Sequence, residues 1–217
     1  MASAASSPVV HSWWTHGTLS ESDGVRGGCE DDDSPAQASP GRGHWRIPDP
    51  PENHYLQYEI LDGQLFGSPT PLRVHQEVVG NLACTVKEFV DRRRLGTVIL
   101  GPIGVMLAEY DAVQPDIVYV SNERHGILSP RAVEGIPDLI VEVAEPATSA
   151  RDRGLKLKRY AAAHVPHYWI VDALEATIEE RVLGEDGYGP PASYRVGDSF
   201  EPLLFPGLAI EVTRLWP

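Results

Sequence analysis

Two short runs of the sequence place a carboxylate inside an otherwise apolar stretch. Asp116 lies near the start of the run 114–120, and Glu142 lies between two valines in Leu139–Ala144. A buried carboxylate is costly unless it is paired, protonated or bound to a metal ion. If the two runs are neighbouring strands, the two carboxylates can converge on one hard cation, and Mg²⁺ takes one or two protein carboxylates together with water and phosphate oxygens. The pattern is therefore compatible with a Mg²⁺ site.

A cationic segment, 150–160, follows these strands. Three of its side chains are four residues apart and share one face of a helix, namely Asp152, Lys156 and Tyr160, whereas Lys158 points elsewhere. A lysine above a metal-bound water could stabilise hydroxide or the charge that develops on a phosphorane-like transition state. Structural alternatives stay open at this point, because the two carboxylates could end solvated strands and Lys156 could form an ordinary surface ion pair.

The elements that must position these residues follow from hydrophobic periodicity. Helical spacing of apolar residues predicts one helix over about 73–94 and a second over roughly 149–163, and Asp-Gly within 58–66 is typical of a hairpin. Short apolar runs predict strands at 97–100, 105–108, 117–120, Leu139–Ala144 and His167–Asp172, and alternation predicts antiparallel strands within about 176–214. This order of elements predicts an α/β fold of the α+β kind, with a mixed sheet, flanking helices and a C-terminal region of antiparallel strands.

Composition limits the classes of function. The 217 residues carry a net charge of -13, and no run approaches the ~18 consecutive apolar residues of a membrane span. Proteins that hold nucleic acid by charge alone are usually basic, so a non-specific nucleic-acid coat protein is not expected. The chain shows no secretory signal and has two cysteines, Cys29 and Cys84. We therefore expect a cytoplasmic protein that does not enter a membrane, with Cys84 as a small core residue of the first helix.

Residues 1–50 differ from the rest of the chain. They have no hydrophobic periodicity and contain an acidic block at 30–33, which predicts a disordered or weakly ordered acidic tail. Residues 51–217 are then expected to form one domain. Within that domain, the basic run Arg92-Arg93-Arg94 at the end of the first predicted helix could help to hold a duplex, or it could simply complement the helix dipole.

The motifs, taken in order, resemble one nuclease family. The string from Pro137 to Asp172, PDLIVEVAEPATSARDRGLKLKRYAAAHVPHYWIVD, occurs after QPDIVYV at 114–120 and YEILDGQLF at 58–66. Together these strings are similar to the bacterial Uma-type restriction endonucleases, a group within the PD-(D/E)xK nuclease superfamily. The resemblance covers about residues 55–215. It implies a restriction-endonuclease-like core and metal-dependent hydrolysis of DNA phosphodiester bonds.

The resemblance also implies roles for individual residues. Asp116 would be the first metal-binding carboxylate and Glu142 the acidic residue of the second motif. The superfamily's usual lysine falls two residues after Glu142, where this chain has Ala144. Lys156 on the following helix is the residue that matches, with Lys158 in reserve. The implied protein is a Mg²⁺-dependent endodeoxyribonuclease, with Mn²⁺ as a second suitable ion and DNA as substrate.

Some alternatives remain open. Glu59, His75 and Glu77 could add a further acid or polar ligand, and they stay outside the predicted site. The absence of a lysine at Ala144 and the acidic composition favour a non-catalytic relic of the fold that binds DNA or a protein partner, and a structural or assembly subunit is a further alternative. Cutting both DNA strands at once needs two active sites, which is compatible with a homodimer.

Overall fold

The computed structural model describes residues 57–217, so the predicted tail and the predicted domain boundary at residue 51 lie outside the described residues. The helical elements are α1 (Arg73–Arg93), α2 (Ser149–Arg151), a π-helical turn (Asp152–Lys156) and α3 (Leu157–Ala162), with short 3-10 helices at Asn122–Ile127 and Val212–Arg214. The strands are β1 (Gln57–Leu61), β2 (Gln64–Ser68), β3 (Gly96–Leu100), β4 (Gly104–Ala108), β5 (Asp111–Val113), β6 (Ile117–Ser121), β7 (Ala132–Val133), β8 (Leu139–Ala144), β9 (His167–Asp172), β10 (Thr177–Gly184), β11 (Gly187–Tyr188), β12 (Ala192–Arg195), β13 (Ser199–Phe200) and β14 (Ile210–Glu211).

Within the described residues, most strands belong to a central seven-stranded sheet or to a second, five-stranded sheet. The central order is β11-β10-β9-β8-β6-β3, with β12 also paired to β10; β8 and β9 run parallel and their neighbours antiparallel. The second sheet has the order β2-β1-β5-β4-β7, and β13 pairs with β14. The predicted fold, a mixed sheet with helices and C-terminal antiparallel strands, is confirmed.

Strand β8 lies inside the central sheet and is buried on both faces. Leu139 and Val143 face one core, which packs against α1 and the C-terminal segment. Ile140 and Ala144 face the other core, which contains residues of the second sheet and α3. Both faces are covered, which explains why the strand is a nearly continuous apolar run. Glu142 alternates with the first set and is therefore buried on the second face.

The predicted hairpin over 58–66 is confirmed by β1 and β2. Its turn residues, Asp62 and Gly63, have φ values of 54° and 74°. A type I′ turn needs positive φ at both central positions, and Asp and Gly are among the residues that adopt it most readily. The turn sets a register in which Glu59 lies opposite Phe66.

Two parts of the prediction need correction. Strands β5 and β7 were not expected, because runs of 3 and 2 residues are too short to show a period. The prediction that Cys84 is a core residue is wrong, since its side chain is exposed. Leu82 and Val86 lie on the buried face of α1. Cys84 is two positions from each of them, which places it roughly 200° around the helix axis, on the exposed face. No helix in the range 57–217 is long and apolar enough to cross a membrane.

Candidate active site

Asp116 and Glu142 meet at one end of the central sheet. Strands β6 and β8 are antiparallel with Ile117 opposite Val141, so Asp116, one residue before β6, extends the register to the position opposite Glu142. Asp116 Oδ2 accepts a hydrogen bond of 2.7 Å from the backbone N–H of Val143. The structure therefore brings together the two carboxylates that the sequence singled out.

Both carboxylates line the same cavity, which is open to solvent. The acidic lining residues are Glu59, Asp116, Glu142, Glu145 and Asp152. Lys156 is the one Lys or Arg that lines it among the described residues. Five carboxylates and one ammonium give a formal charge of -4 with the lining histidine neutral. Because like charges at this spacing repel one another, a cation entering the cavity lowers its electrostatic energy.

The ammonium of Lys156 lies among three of these carboxylates. Its Nζ is 2.9 Å from Glu59 Oε2, 3.0 Å from Glu142 Oε1 and 3.6 Å from Asp152 Oδ1, and only 5% of the side chain is exposed. Burial lowers the pKa of Lys156, but the three carboxylates outweigh burial and raise it, so the side chain is charged. Lys158, the reserve candidate, is exposed and does not line the cavity.

Glu142 is also held by a tyrosine. The hydroxyl of Tyr160 donates a 2.6 Å hydrogen bond to Glu142 Oε1, the oxygen that also contacts Lys156. Burial raises the pKa of Glu142 well above its usual range, Lys156 lowers it, and the neighbouring carboxylates of Glu59, Asp152 and Asp116 raise it further. Burial therefore disfavours the ionised form of this carboxylate, and the nearby ammonium of Lys156 favours it.

A π-helical turn presents the lysine. Asp152, Lys156 and Tyr160 share one buried side of the helical segment, as their spacing predicts. Beneath the turn, the hydroxyl of Tyr168 in β9 donates a 3.1 Å hydrogen bond to the backbone carbonyl of Asp152. Single π-helical turns are rare and occur often at functional sites. The turn therefore belongs to the geometry that brings Lys156 to Glu142.

Two further residues complete the site. His75 Nε2 is 3.1 Å from Asp116 Oδ1, and His75 Nδ1 is 3.3 Å from Glu145 Oε1. Burial lowers the pKa of His75, but the hydrogen bond with Asp116 and the charges of Asp116 and Glu145 leave it raised. Sequence reasoning set His75 aside and missed Glu145. The signal for Glu145 was its place directly after β8, at the same end of the sheet as Glu142.

The remaining sequence candidates divide between the cavity and the surface. Glu59 lines the cavity and contacts Lys156. Glu77 is on α1, forms an ion pair with Arg73 and does not line the cavity. The basic run at the end of α1 lies about 26 Å along the helix axis from His75, at 1.5 Å per residue. Arg93 in that run stacks on Phe89 and donates to a backbone carbonyl, which favours a structural role.

The donor set is compatible with a hard divalent cation. In the part of the chain that the structure describes, no group of three or more His, Cys, Asp or Glu residues is arranged to hold a metal ion. A pair of carboxylates is nevertheless sufficient for Mg²⁺, which retains several waters and binds substrate phosphate. Asp116 and Glu142 supply that pair at the wall of a cavity with excess negative charge. The residues therefore fit Mg²⁺ or Mn²⁺ better than an ion that needs a closed protein cage.

Comparisons with known proteins agree with this architecture. A search of curated proteins finds no match. A crystal structure described as "a putative nuclease belonging to DUF820", from Anabaena variabilis ATCC 29413, is similar with a TM-score of 0.62 and 15% identity, covering 76% of this chain and 92% of that chain. At this identity the likeness shows the fold, a restriction-endonuclease-like core. The family model Uma2, described as "Putative restriction endonuclease", matches residues 45–213. Since that match spans more than half of the sequence, this chain belongs to the Uma2 restriction endonuclease family.

Proposed function

We propose that this chain is a metal-dependent endonuclease that hydrolyses DNA phosphodiester bonds, with Asp116, Glu142 and Lys156 as its catalytic residues. Membership of the Uma2 family supports nuclease activity. The observation that carries the proposal is the convergence of two carboxylates from adjacent strands in an acidic cavity, with the Lys156 ammonium 3.0 Å from one of them. This combination suits phosphate chemistry, which depends on positioning and on stabilising charge.

Asp116 and Glu142 would hold Mg²⁺ or Mn²⁺, with the backbone carbonyl of Val143 as a further oxygen ligand. A bound ion of this kind lowers the pKa of a coordinated water and polarises a phosphate oxygen. Its charge also offsets the acidic lining of the cavity, which otherwise repels a phosphodiester. An acidic protein can therefore bind nucleic acid locally without a general basic surface.

The chain's own groups have separate tasks in this scheme. Lys156 supplies a fixed positive charge near the reacting phosphate and stabilises the charge that develops on it. Tyr160 and Lys156 restrain Glu142 through Oε1. His75 and the Val143 N–H restrain the two oxygens of Asp116. Carboxylates that are restrained in this way need little reorganisation when the ion and substrate bind.

The alternative of a non-catalytic relic rests on Ala144, which stands where the superfamily's usual lysine is expected. The position of Lys156 weakens that argument, because an ammonium group is available in the cavity from another element.

The homodimer and the cytoplasmic location stay predictions. Sedimentation of the purified protein with and without a DNA duplex measures the oligomeric state.

The test of the function is DNA cleavage by purified protein in Mn²⁺ at low salt, with plasmid and single-stranded substrates. We expect cleavage that is lost in EDTA and in Asp116→Asn. The matched control is Asp91→Asn, because Asp91 is an exposed residue of α1 outside the cavity, and this variant should cleave normally. Cleavage that persists in Asp116→Asn would assign the activity to a contaminant and contradict the proposed site.

A further inference from the structure

The β1–β2 hairpin and its neighbour β5 hold the helical segment that carries Lys156. Three cations of that segment, one in each of its parts, contact acidic, aromatic or hydroxyl groups on these strands and their turn. The contacts are Arg151 with Phe66 and Ser68, Lys156 with Glu59, and Arg159 with Asp62 and Asp111. The central contact, between Lys156 and Glu59, is the one that lies in the cavity.

Glu59 uses its two carboxylate oxygens on different parts of the site. Oε2 lies 2.9 Å from Lys156 Nζ. Oε1 accepts a 3.0 Å hydrogen bond from the backbone N–H of Gln114, two residues before Asp116. Arg151 approaches Oε2 at 3.8 Å, and only 4% of the Glu59 side chain is exposed. One buried carboxylate therefore links the segment that carries Asp116 to the turn that carries Lys156.

We propose that Glu59 is a positioning residue that fixes the Lys156 ammonium beside Glu142, and that it is not a metal ligand. This inference rests on the proposed nuclease function. A lysine side chain has four flexible carbons and an ammonium that does not define its own direction. Within the helical segment, Asp152 contacts the ammonium at 3.6 Å, whereas Glu59, fixed by β1 and by Gln114, contacts it more closely, at 2.9 Å, from another element.

Glu59→Gln separates this role from that of a ligand. Glutamine has one acceptor oxygen and one NH₂ donor group, and an ammonium can only donate. The variant can therefore keep the hydrogen bond from Gln114 or the contact with Lys156, but not both as they are. We expect kcat for DNA cleavage in Mn²⁺ to fall about 10- to 100-fold, with KM unchanged. The Mn²⁺ affinity measured by calorimetry should stay within about threefold of the parent.

A double-mutant cycle tests whether Glu59 acts through Lys156. The proteins are the parent, Glu59→Gln, Lys156→Met and the double variant. If Glu59 only positions the ammonium, adding Glu59→Gln to Lys156→Met causes no further loss of rate, because the group that it positions is gone. Independent, multiplying losses would overturn the proposal. Glu180→Gln is the matched control, since Glu180 is also a buried carboxylate but lies outside the cavity, and its rate should equal that of the parent.

Two further measurements do not depend on nuclease activity. Loss of Mn²⁺ binding in Glu59→Gln would identify Glu59 as a metal ligand and overturn the proposal. This measurement needs only the Glu59→Gln variant, so it can be made even if Lys156→Met does not fold. The unfolding free energies of the four proteins should be non-additive, and additive values would contradict a direct contact. If the parent cleaves no DNA, the proposed function fails by itself, while the calorimetry and the unfolding cycle still decide the place of Glu59.

Discussion

At the scale of single residues, the site depends on a shared positive charge. Glu59, Glu142 and Asp152 are all buried, and Lys156 lies within 3.6 Å of each. Removing one partner from a buried ionic cluster leaves uncompensated charge, whereas solvent screens an exposed pair. The same ammonium therefore contributes to stability and, under the proposed function, to catalysis.

A comparison of two lysines tests that dual role. Lys156→Met should destabilise the protein by about 3 kcal/mol or more, because it removes the ammonium that three buried carboxylates share. It should also lower the cleavage rate by at least about 100-fold through the loss of one stabilising charge. Urea unfolding and DNA cleavage in Mn²⁺ measure the two effects. Lys158→Met is the control and should change stability by less than about 0.5 kcal/mol, because Lys158 is exposed.

The opposite outcome is equally informative about these two residues. If Lys158→Met abolishes cleavage and Lys156→Met does not, the reserve lysine is the catalytic one. That result would contradict the assignment made from the cavity geometry.

At the scale of elements, the π-helical turn depends on a contact from the sheet. The Tyr168 hydroxyl donates to the carbonyl of Asp152, and both residues are buried. Tyr168→Phe removes that hydrogen bond, which should destabilise the protein by about 0.5–1.5 kcal/mol. Because the turn also presents Lys156, the cleavage rate should fall as well. Tyr58→Phe is a matched control, since the buried Tyr58 hydroxyl has no hydrogen-bond partner among residues 57–217 and its removal should not lower stability.

Denaturant unfolding distinguishes these two tyrosine variants. Equal unfolding free energies for Tyr168→Phe and Tyr58→Phe would show that the hydrogen bond to the turn contributes nothing. A lower stability of Tyr168→Phe alone would support the role of the sheet in holding the turn.

The first residue of β9 makes the stability depend on pH. Burial lowers the pKa of His167 from its ordinary value of 6.5, and Asp138 offsets only part of that change. The unfolded chain therefore binds this proton more tightly, so the contribution of His167 to stability is present above pH 6.5 and is lost as the pH falls below 6.5 through the lowered pKa of the folded state. His75 has a raised pKa and the opposite sign, because its contribution is present at low pH and lost as the pH rises.

His167→Gln isolates the first contribution. The variant has no group to titrate at this position, so its unfolding free energy should fall less than that of the parent between about pH 7.5 and about pH 5.5. Urea unfolding at several pH values gives the comparison. Parallel curves for the two proteins would contradict a lowered pKa at His167.

The elements that carry the site were predictable, and several of its contacts were not. The apolar run of β8 and the spacing of Asp152, Lys156 and Tyr160 predicted the strand that bears Glu142 and the shared helical face. The π-helical turn has no periodic signature that distinguishes it from α-helix, so it was not expected. Glu145 directly follows β8, but its place beside His75 was not predictable, because it depends on how α1 packs against the end of β8.

At the scale of the whole molecule, the sign of the charge decides what can bind. The chain carries a net charge of -13, and the cavity also has an excess of negative charge, since five carboxylates and one lysine line it. General attraction for a DNA duplex is therefore expected to be weak, and under the proposed function the close approach of a phosphate depends on a cation in the cavity. The sequence predicted this dependence from composition and two carboxylates, but the cavity forms only when separate parts of the chain pack together.

The charge excess predicts that Mn²⁺ stabilises the folded protein before any DNA is present. An ion that binds only the folded state at 100 times its Kd raises the unfolding free energy by about 2.7 kcal/mol. We expect thermal unfolding of the parent and of Asp91→Asn to shift upward with Mn²⁺. Asp116→Asn should not shift, because it removes one of the two converging carboxylates while leaving nearly all of the surface charge in place. An equal shift in Asp116→Asn would mean that Mn²⁺ binds the acidic surface generally, and the metal site at the end of β6 and β8 would be wrong.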